Sequence, residues 1–123
     1  MLKKMSTNDL STVYKTSEEI AVEYENAIFE LSSKEVEYYN SKESYAALSD
    51  TLLEQAKKDK DDGKGDIIKD MYGGNNDKTR KMYVEGELAD EAKKIKDLEF
   101  SIDYLKRRIS FLKAILYLKM EDK

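Results

Sequence analysis

Isoleucine and leucine recur with seven-residue spacing in the last third of the chain. Each isoleucine is followed by a leucine three positions later, and together they form one series: Ile95, Leu98, Ile102, Leu105, Ile109 and Leu112. A helix places these side chains along one face. A second apolar series lies off that face: Phe100, Tyr104, Phe111, Ile115 and Leu118. A two-stranded coiled coil would leave the second series in water, so the pattern predicts a helix with more than one neighbour.

The first half of the chain carries a longer seven-residue series. Its members are Leu10, Tyr24, Leu31, Tyr38, Tyr45 and Leu52, with Ser17 in the remaining place. The segment Ser6–Asp9 offers several N-cap residues just before this series. The pattern therefore predicts one helix from about residue 9 to about residue 58.

Polar residues interrupt this first helix at its middle. Lys34-Glu35 and Ser41-Lys42 stand where apolar partners are expected. The interruption is either a device that fixes the helix register or bends the helix, or a neutral feature of a stripe that Val36, Tyr38 and Tyr39 still hold together.

Both series stop in a connector at about residues 59–77. A mixed-charge run opens it, and four of the five glycines of the chain follow. This composition predicts a loop that is mobile at least in part. One apolar cluster lies inside it: Ile67, Ile68, Met71 and Tyr72. The cluster is expected to form a helical turn that caps the two long helices, with a docking peptide for another protein as the alternative.

A second long helix is expected from about residue 78 to about residue 120. Asn76 or Asp77 is a suitable N-cap, and Gly86 is the one weak point. The sequence thus predicts an all-α fold, a single domain in which a long antiparallel helical hairpin (a coiled coil) self-associates into a bundle or ring. The residues expected at the interface between copies are the Ile/Leu series named above together with Phe111 and Ile115.

The residue types that are missing from the chain narrow its chemistry. There is no cysteine and no histidine, which removes disulfides, thiolate and imidazole metal ligands, and the usual general base. The aspartates around Asp59 and Gly65 do not match the spacing of an EF-hand calcium loop, and Gly63-Lys64-Gly65 lacks the pattern of a phosphate-binding P-loop. We therefore expect no metal, no cofactor and no enzymatic activity. The chain has neither a transmembrane-length apolar run nor a signal peptide, so a cytoplasmic protein without membrane contact is expected.

Charge is distributed unevenly along the chain, whose net charge is −4. Residues 17–55 carry ten acidic and two basic side chains, whereas residues 92–123 carry nine basic and five acidic ones. Either the acidic arm lies against the basic arm and fixes their pairing, or the basic arm faces a polyanion.

Two basic clusters are candidates for binding nucleic acid. Phosphates would be contacted by Lys78, Arg80, Lys81, Lys106, Arg107 and Arg108. Tyr72 and Tyr83 flank the first cluster and could stack on unpaired bases, which requires aromatic side chains interleaved with cations. The alternative is that these charges form an ordinary solvated helix face.

The segment Asn75–Tyr83, leading into Leu88–Ala92 and the Ile/Leu series, resembles small proteins of phages and prophages of Gram-positive hosts. Those proteins have two long helices and an Asn-Asp-x-x-Arg-x-x-Tyr-type start to the second one. The layout is also similar to that of UvsY-type recombination mediators, with Gly63–Asp66 at a mid-chain Gly/Asp-rich loop and Arg107-Arg108 in the second helix. This resemblance implies a small phage protein that oligomerises through helical hairpins, binds single-stranded DNA and helps to load a recombinase.

Two classes of function follow from these observations. The first is a phage-type accessory protein, in the host cytoplasm, that binds single-stranded DNA and a recombination or replication partner. The second is a protein-binding inhibitor or adaptor, or a structural coiled-coil spacer, that makes no contact with nucleic acid. Burial of Lys106, Arg107 and Arg108 against glutamates of the first helix would favour the second class.

Overall fold

A computed structural model describes residues 14–63 and 65–121, and this part of the chain is helical with no strand. It contains four helices: α1 (Ser17–Asp62), α2 (Ile67–Tyr72), α3 (Asp77–Glu87) and α4 (Ala89–Glu121). The all-α class expected from the sequence is confirmed, and the long helices α1 and α4 pack against each other.

Helix α1 begins later than the heptad pattern predicted. Tyr14 to Thr16 are not helical, and the N-caps proposed at Ser6–Asp9 lie outside the described residues. The first turn is closed by Thr16 and Glu19: the Glu19 amide donates to the Thr16 hydroxyl (3.2 Å), and the Thr16 amide donates to the Glu19 carboxylate (3.2 Å). This reciprocal pair is a capping box, and its Thr-x-x-Glu signature stands in the sequence.

The polar interruption in the middle of α1 does not break the helix. Lys34 and Ser41 are half-buried, in the places that the seven-residue pattern assigns to the inner face, and α1 continues to Asp62. Val36 and Tyr39 point into solvent, so they do not hold the stripe together, whereas Tyr38 is half-buried. The Lys42 ammonium lies 5.2 Å from the centre of the Tyr38 ring, which places this cation beside the inner face.

The connector holds a short helix, α2, and several side-chain hydrogen bonds among its described residues, 59–63 and 65–77. Asp66 caps α2 by accepting from the Lys69 amide (3.0 Å), and Gly73 ends α2 with a φ of 79°. The Asn75 side-chain amide donates to the Ala56 carbonyl of α1 (3.0 Å) and to the Asp66 carboxylate (3.1 Å). The expected helical turn is therefore present, and a buried asparagine ties this segment to α1.

The second half of the helical pattern is divided at Leu88. Helix α3 ends at Glu87 and α4 begins at Ala89, although the Leu88 amide still donates to the Val84 carbonyl (2.9 Å). Leu88 is buried, so the irregular residue is also a core residue. The predicted weak point, Gly86, lies inside α3.

The chain divides into two compact units, a terminal unit and a connector unit. The terminal unit comprises residues 14–36 and 100–121 of the described chain; the connector unit comprises 37–63 and 65–99. In the terminal unit, Ile20 and Ala27 of α1 and Leu112 of α4 form one buried cluster. Four partly buried side chains pack against it: Tyr24, Ile109, Ile115 and Leu116. In the connector unit, the buried apolar residues are Ala56, Ile68, Val84, Leu88 and Leu98.

The Ile/Leu series of the second arm is the inner face of α4. Leu98, Ile102, Leu105 and Leu112 are buried within the chain, while Ile95 and Ile109 are half-buried. The four buried side chains are therefore not available to a second copy, because their apolar surface is already covered. The second series remains accessible, with Phe100, Tyr104 and Leu118 exposed and Phe111 and Ile115 half-buried.

Candidate nucleic-acid interface

Helix α3 is oriented by an N-terminal capping box. The Thr79 amide donates to the Asn76 side-chain oxygen (3.1 Å), and the Asn76 amide donates to the Thr79 hydroxyl (2.9 Å). Thr79 is buried by this arrangement and Asn76 is the N-cap, one of the two residues expected from the sequence. Because the first turn is fixed, residues that follow at helical spacing face a defined direction.

A cationic depression, of about 360 Å³, lies between α1 and this face of α3 in the connector unit. Its lining consists of Tyr45, Ser49, Leu53 and Lys57 from α1, and Asp77, Arg80, Lys81, Val84 and Glu85 from α3. The α1 residues repeat every four positions, so they form one strip along that helix. The depression combines three cations with two carboxylates and one aromatic ring, which suits a ligand that has both a negative charge and a flat apolar face.

Arg80 is held by its own helix. Its guanidinium donates to the Asp77 carboxylate (2.9 Å), and its side chain is 11% exposed. Asp77 is fully exposed and stands at the N-terminus of α3, where negative charge is favourable. The pair leaves Arg80 with donors that are not used by Asp77, since a guanidinium carries five N–H groups. Lys81, one position further, is exposed and lines the depression.

The two tyrosines expected to stack on bases lie in a different environment. Burial raises the pKa of the Tyr83 hydroxyl, and the charges of Glu87 and Asp59 raise it further. Tyr72 also contributes to this shift, so the two phenols are near each other. Neither Tyr72 nor Tyr83 lines the cationic depression, whereas a base-stacking aromatic needs cations to hold the adjoining phosphates. The aromatic ring that lines the depression together with the cations is that of Tyr45.

The second basic cluster, Lys106 to Arg108, belongs to the terminal unit and is only partly accessible. Lys106 and Arg107 are exposed. The Arg108 guanidinium donates to the Glu23 carboxylate of α1 (3.3 Å), lies 5.8 Å from the centre of the Phe111 ring, and its side chain is 15% exposed. Lys15 also donates to Glu23. One of the three predicted phosphate contacts is thus engaged with a glutamate of the first helix, as expected if the two arms use their charge to pair.

Lys78 is exposed and lies outside the depression. Two other residues line the depression that the sequence analysis did not propose as binding residues, Lys57 and Tyr45. The sequence analysis placed Tyr45 in the seven-residue series of the first helix, and the structure shows it half-buried there. Lys57 is the first residue of the mixed-charge run, Lys57–Asp62, that leads into the connector. The four-residue spacing from Tyr45 through Ser49 and Leu53 to Lys57 is the signal that could have placed both on one face.

Other kinds of site are not found in the part of the chain that the structure describes. No group of three or more carboxylates there could hold a metal ion. Across residues 14–63 and 65–121, no helix is long and apolar enough to cross a membrane. Comparisons with protein-family models, curated proteins and solved structures gave no match to this chain.

Proposed function

We propose that this chain is a non-enzymatic accessory protein that binds single-stranded DNA in the cationic depression and self-associates as an antiparallel helical hairpin. The observation that carries the proposal is that Lys57, Arg80 and Lys81 line the same depression as the Tyr45 ring. Cations that follow the backbone, beside an aromatic ring that stacks on a base, are the two parts of sequence-independent single-strand recognition. The partner in recombination or replication is the one implied by the resemblance to UvsY-type mediators.

The roles of the residues differ. Lys57 and Lys81 would contact adjacent phosphates, because an ammonium on a flexible stem suits a point contact. Arg80, fixed by Asp77, would contact a phosphate in a set orientation. Tyr45 would stack on the base between them, which is worth about 1–3 kcal/mol in comparable proteins. Lys106 and Arg107 would provide further electrostatic attraction only.

The test is fluorescence anisotropy of a labelled single-stranded oligonucleotide at two salt concentrations. Binding should weaken steeply with salt, with a logarithmic slope of about −0.7 for each phosphate contacted. The Lys57→Glu and Lys81→Glu variants should each weaken binding and reduce the magnitude of that slope by about one contact. Lys58→Glu is the matched control, since it makes the same charge change at the neighbouring exposed position outside the depression. If Lys58→Glu weakened binding as much as Lys57→Glu, the depression would not be the site.

A second candidate function is a protein-binding adaptor without nucleic-acid contact. It is favoured by the two arginines that already have carboxylate partners, Arg108 with Glu23 and Arg80 with Asp77. If the parent protein did not bind the oligonucleotide at low salt, this second function would replace the first, and a partner would be sought by affinity capture from infected cells.

A further inference from the structure

The terminal unit exposes an apolar stripe on α1 as well as on α4. Val22, Phe29 and Val36 follow one another every seven residues and are 56%, 76% and 61% exposed. Val22 and Phe29 each come two positions after a buried residue, Ile20 and Ala27 respectively. At 3.6 residues per turn, they lie on the side of α1 that faces away from the core.

The stripe on α4 has a similar construction. Phe100 is 63% exposed, and Tyr104 and Leu118 are each 56% exposed. Tyr104 comes two positions after the buried Ile102, so it also faces away from the core. Phe100 and Tyr104 in addition border a shallow depression of about 410 Å³. Large apolar side chains exposed at repeated helical spacing, on both helices of one small unit, are typical of a surface that is covered by a partner.

The charges within the two stripes are opposite. Glu25 lies between Val22 and Phe29, three positions after the first and four before the second. Arg107 has the same spacing between Tyr104 and Phe111, and both Glu25 and Arg107 are exposed. The surrounding segments agree: residues 17–36 carry six acidic and one basic side chain, and residues 100–120 carry five basic and one acidic.

We infer that a second copy of this chain covers these surfaces, with the α1 stripe of one copy docked on the α4 stripe of the next and Glu25 facing Arg107. Docking like on like would bring two acidic α1 segments together, or two basic α4 segments, and like charges at an interface disfavour that arrangement. Only the docking of an α1 stripe on an α4 stripe, the unlike pairing, joins two apolar surfaces that carry complementary charge. This inference rests on the self-association in the proposed function and specifies its geometry.

The unlike pairing has a consequence for the assembly. Each copy carries one stripe of each kind, so a single docking event leaves one α1 stripe and one α4 stripe uncovered. Interfaces of this head-to-tail type continue until they close into a ring or extend as a filament. The protein is therefore expected to form species larger than a dimer as its concentration rises.

The test is a charge-reversal series followed by sedimentation velocity at low salt. Glu25→Arg and Arg107→Glu should each weaken self-association by about tenfold or more, because each places like charges at every interface. The double variant, and an equimolar mixture of the two single variants, should both regain the association of the parent. Glu35→Arg and Lys113→Glu are the matched controls: they make the same charge changes at exposed positions outside the stripes and should associate like the parent. Circular dichroism of each variant verifies that the helices are retained.

The outcomes separate this inference from the function on which it rests. A parent that stays monomeric at all concentrations would overturn self-association itself. A parent that associates while the single reversals have no effect, or while the double variant fails to recover, would overturn the unlike pairing and leave self-association standing. Because all these positions are exposed, loss of folding does not confuse the result. Because the chain has no cysteine, Glu25→Cys and Arg107→Cys proteins can also be mixed, and a heterodimeric disulfide should then exceed the two homodimeric ones.

Discussion

The terminal and connector units are stabilised in different ways, although α1 and α4 run through both. The terminal unit depends on a buried apolar cluster of Ile20, Ala27 and Leu112. The connector unit adds to its apolar residues a set of local hydrogen bonds, in which Asn75 reaches the Ala56 carbonyl and the Asp66 carboxylate. Apolar packing tolerates the exchange of one apolar side chain for another of similar volume, whereas a capped turn requires particular residues at particular positions. Three predictions test this difference and a fourth tests the capping box at the start of α1, in order of decreasing effect.

Leu112→Ala is expected to lower the free energy of unfolding by about 2–5 kcal/mol, because it leaves a cavity at a side chain that is 1% exposed. Leu118→Ala, on the same helix in the terminal unit, removes an identical side chain that is exposed. At a protein concentration where the parent is monomeric, its effect should stay within about 0.5 kcal/mol. Urea unfolding followed by circular dichroism measures both. Equal losses in the two variants would show that α4 does not bury the face assigned here.

Asn75→Ala is expected to cost about 1–3 kcal/mol, since it removes both donors and leaves the Ala56 carbonyl and the Asp66 carboxylate without that partner. The loss should be local: amide hydrogen exchange should accelerate at residues 66–76 and remain unchanged in the terminal unit. Asn40→Ala, at an exposed position in α1, is the control and should leave exchange in the connector unchanged. Uniform acceleration over the whole chain would contradict the separate stabilisation of the two units.

Gly73→Ala is expected to destabilise by about 1–2 kcal/mol, because a side chain is strained at the φ of 79° that ends α2. There is open space around the position, so strain is the whole effect. Gly74→Ala is the control: its φ is not in the left-handed region, and the added methyl group would meet the Asn76 side chain at an ordinary 3.6 Å. Thermal unfolding compares them, and a cost at Gly74 as large as that at Gly73 would count against the cap.

The smallest effect is expected at the start of α1. The Thr16 backbone amide and hydroxyl, with a contribution from the Lys15 charge, hold the pKa of the Glu19 carboxyl below its usual value. The folded state therefore gains stability from ionised Glu19 above the unfolded pKa, and loses it as the pH falls through the lower folded pKa. Thr16→Val removes the hydroxyl but keeps the backbone amide, so it should raise the pKa of Glu19 part of the way towards its ordinary value, as measured by NMR titration. A pKa of Glu19 that did not change would show that the Thr16 hydroxyl does not contact this carboxylate in solution.

The sequence predicted the part of the fold that depends on periodicity. The seven-residue spacing identified the inner faces of α1 and α4, including the half-buried places of Lys34 and Ser41. It did not predict the start of α1, because the heptad series continues to Leu10 and gives no stop signal, while the Thr16–Glu19 capping box is a local feature. The helical turn of the connector was predicted, but its hydrogen bonds to α1 were not. Glycine and charge usually indicate a loop, and the hydrogen bonds of Asn75 join residues that are nineteen and nine positions apart.

The candidate site was only partly predictable for a related reason. Arg80 and Lys81 were identified as a basic cluster from their position in the chain. Their partners Lys57 and Tyr45 come from another helix, and the α1–α3 packing that places them at the same depression is a tertiary feature. Tyr83 was expected beside cations because it follows Lys81 in sequence, but it does not line the depression that Lys81 lines. Residues that are adjacent in sequence point in different directions on a helix, so a run of charged residues in the sequence need not form a cluster of side chains in the structure.

We propose that the connector unit binds single-stranded DNA and that the terminal unit binds a second copy of the chain. Hydrogen–deuterium exchange on the full chain tests this proposal directly, with protein concentration and a single-stranded oligonucleotide varied independently. The oligonucleotide is expected to slow exchange at residues 45–57 and 77–85, whereas a higher protein concentration should slow it at residues 18–36 and 100–118. Oligonucleotide protection centred on residues 104–113, with no change around Lys57 and Lys81, would contradict the account.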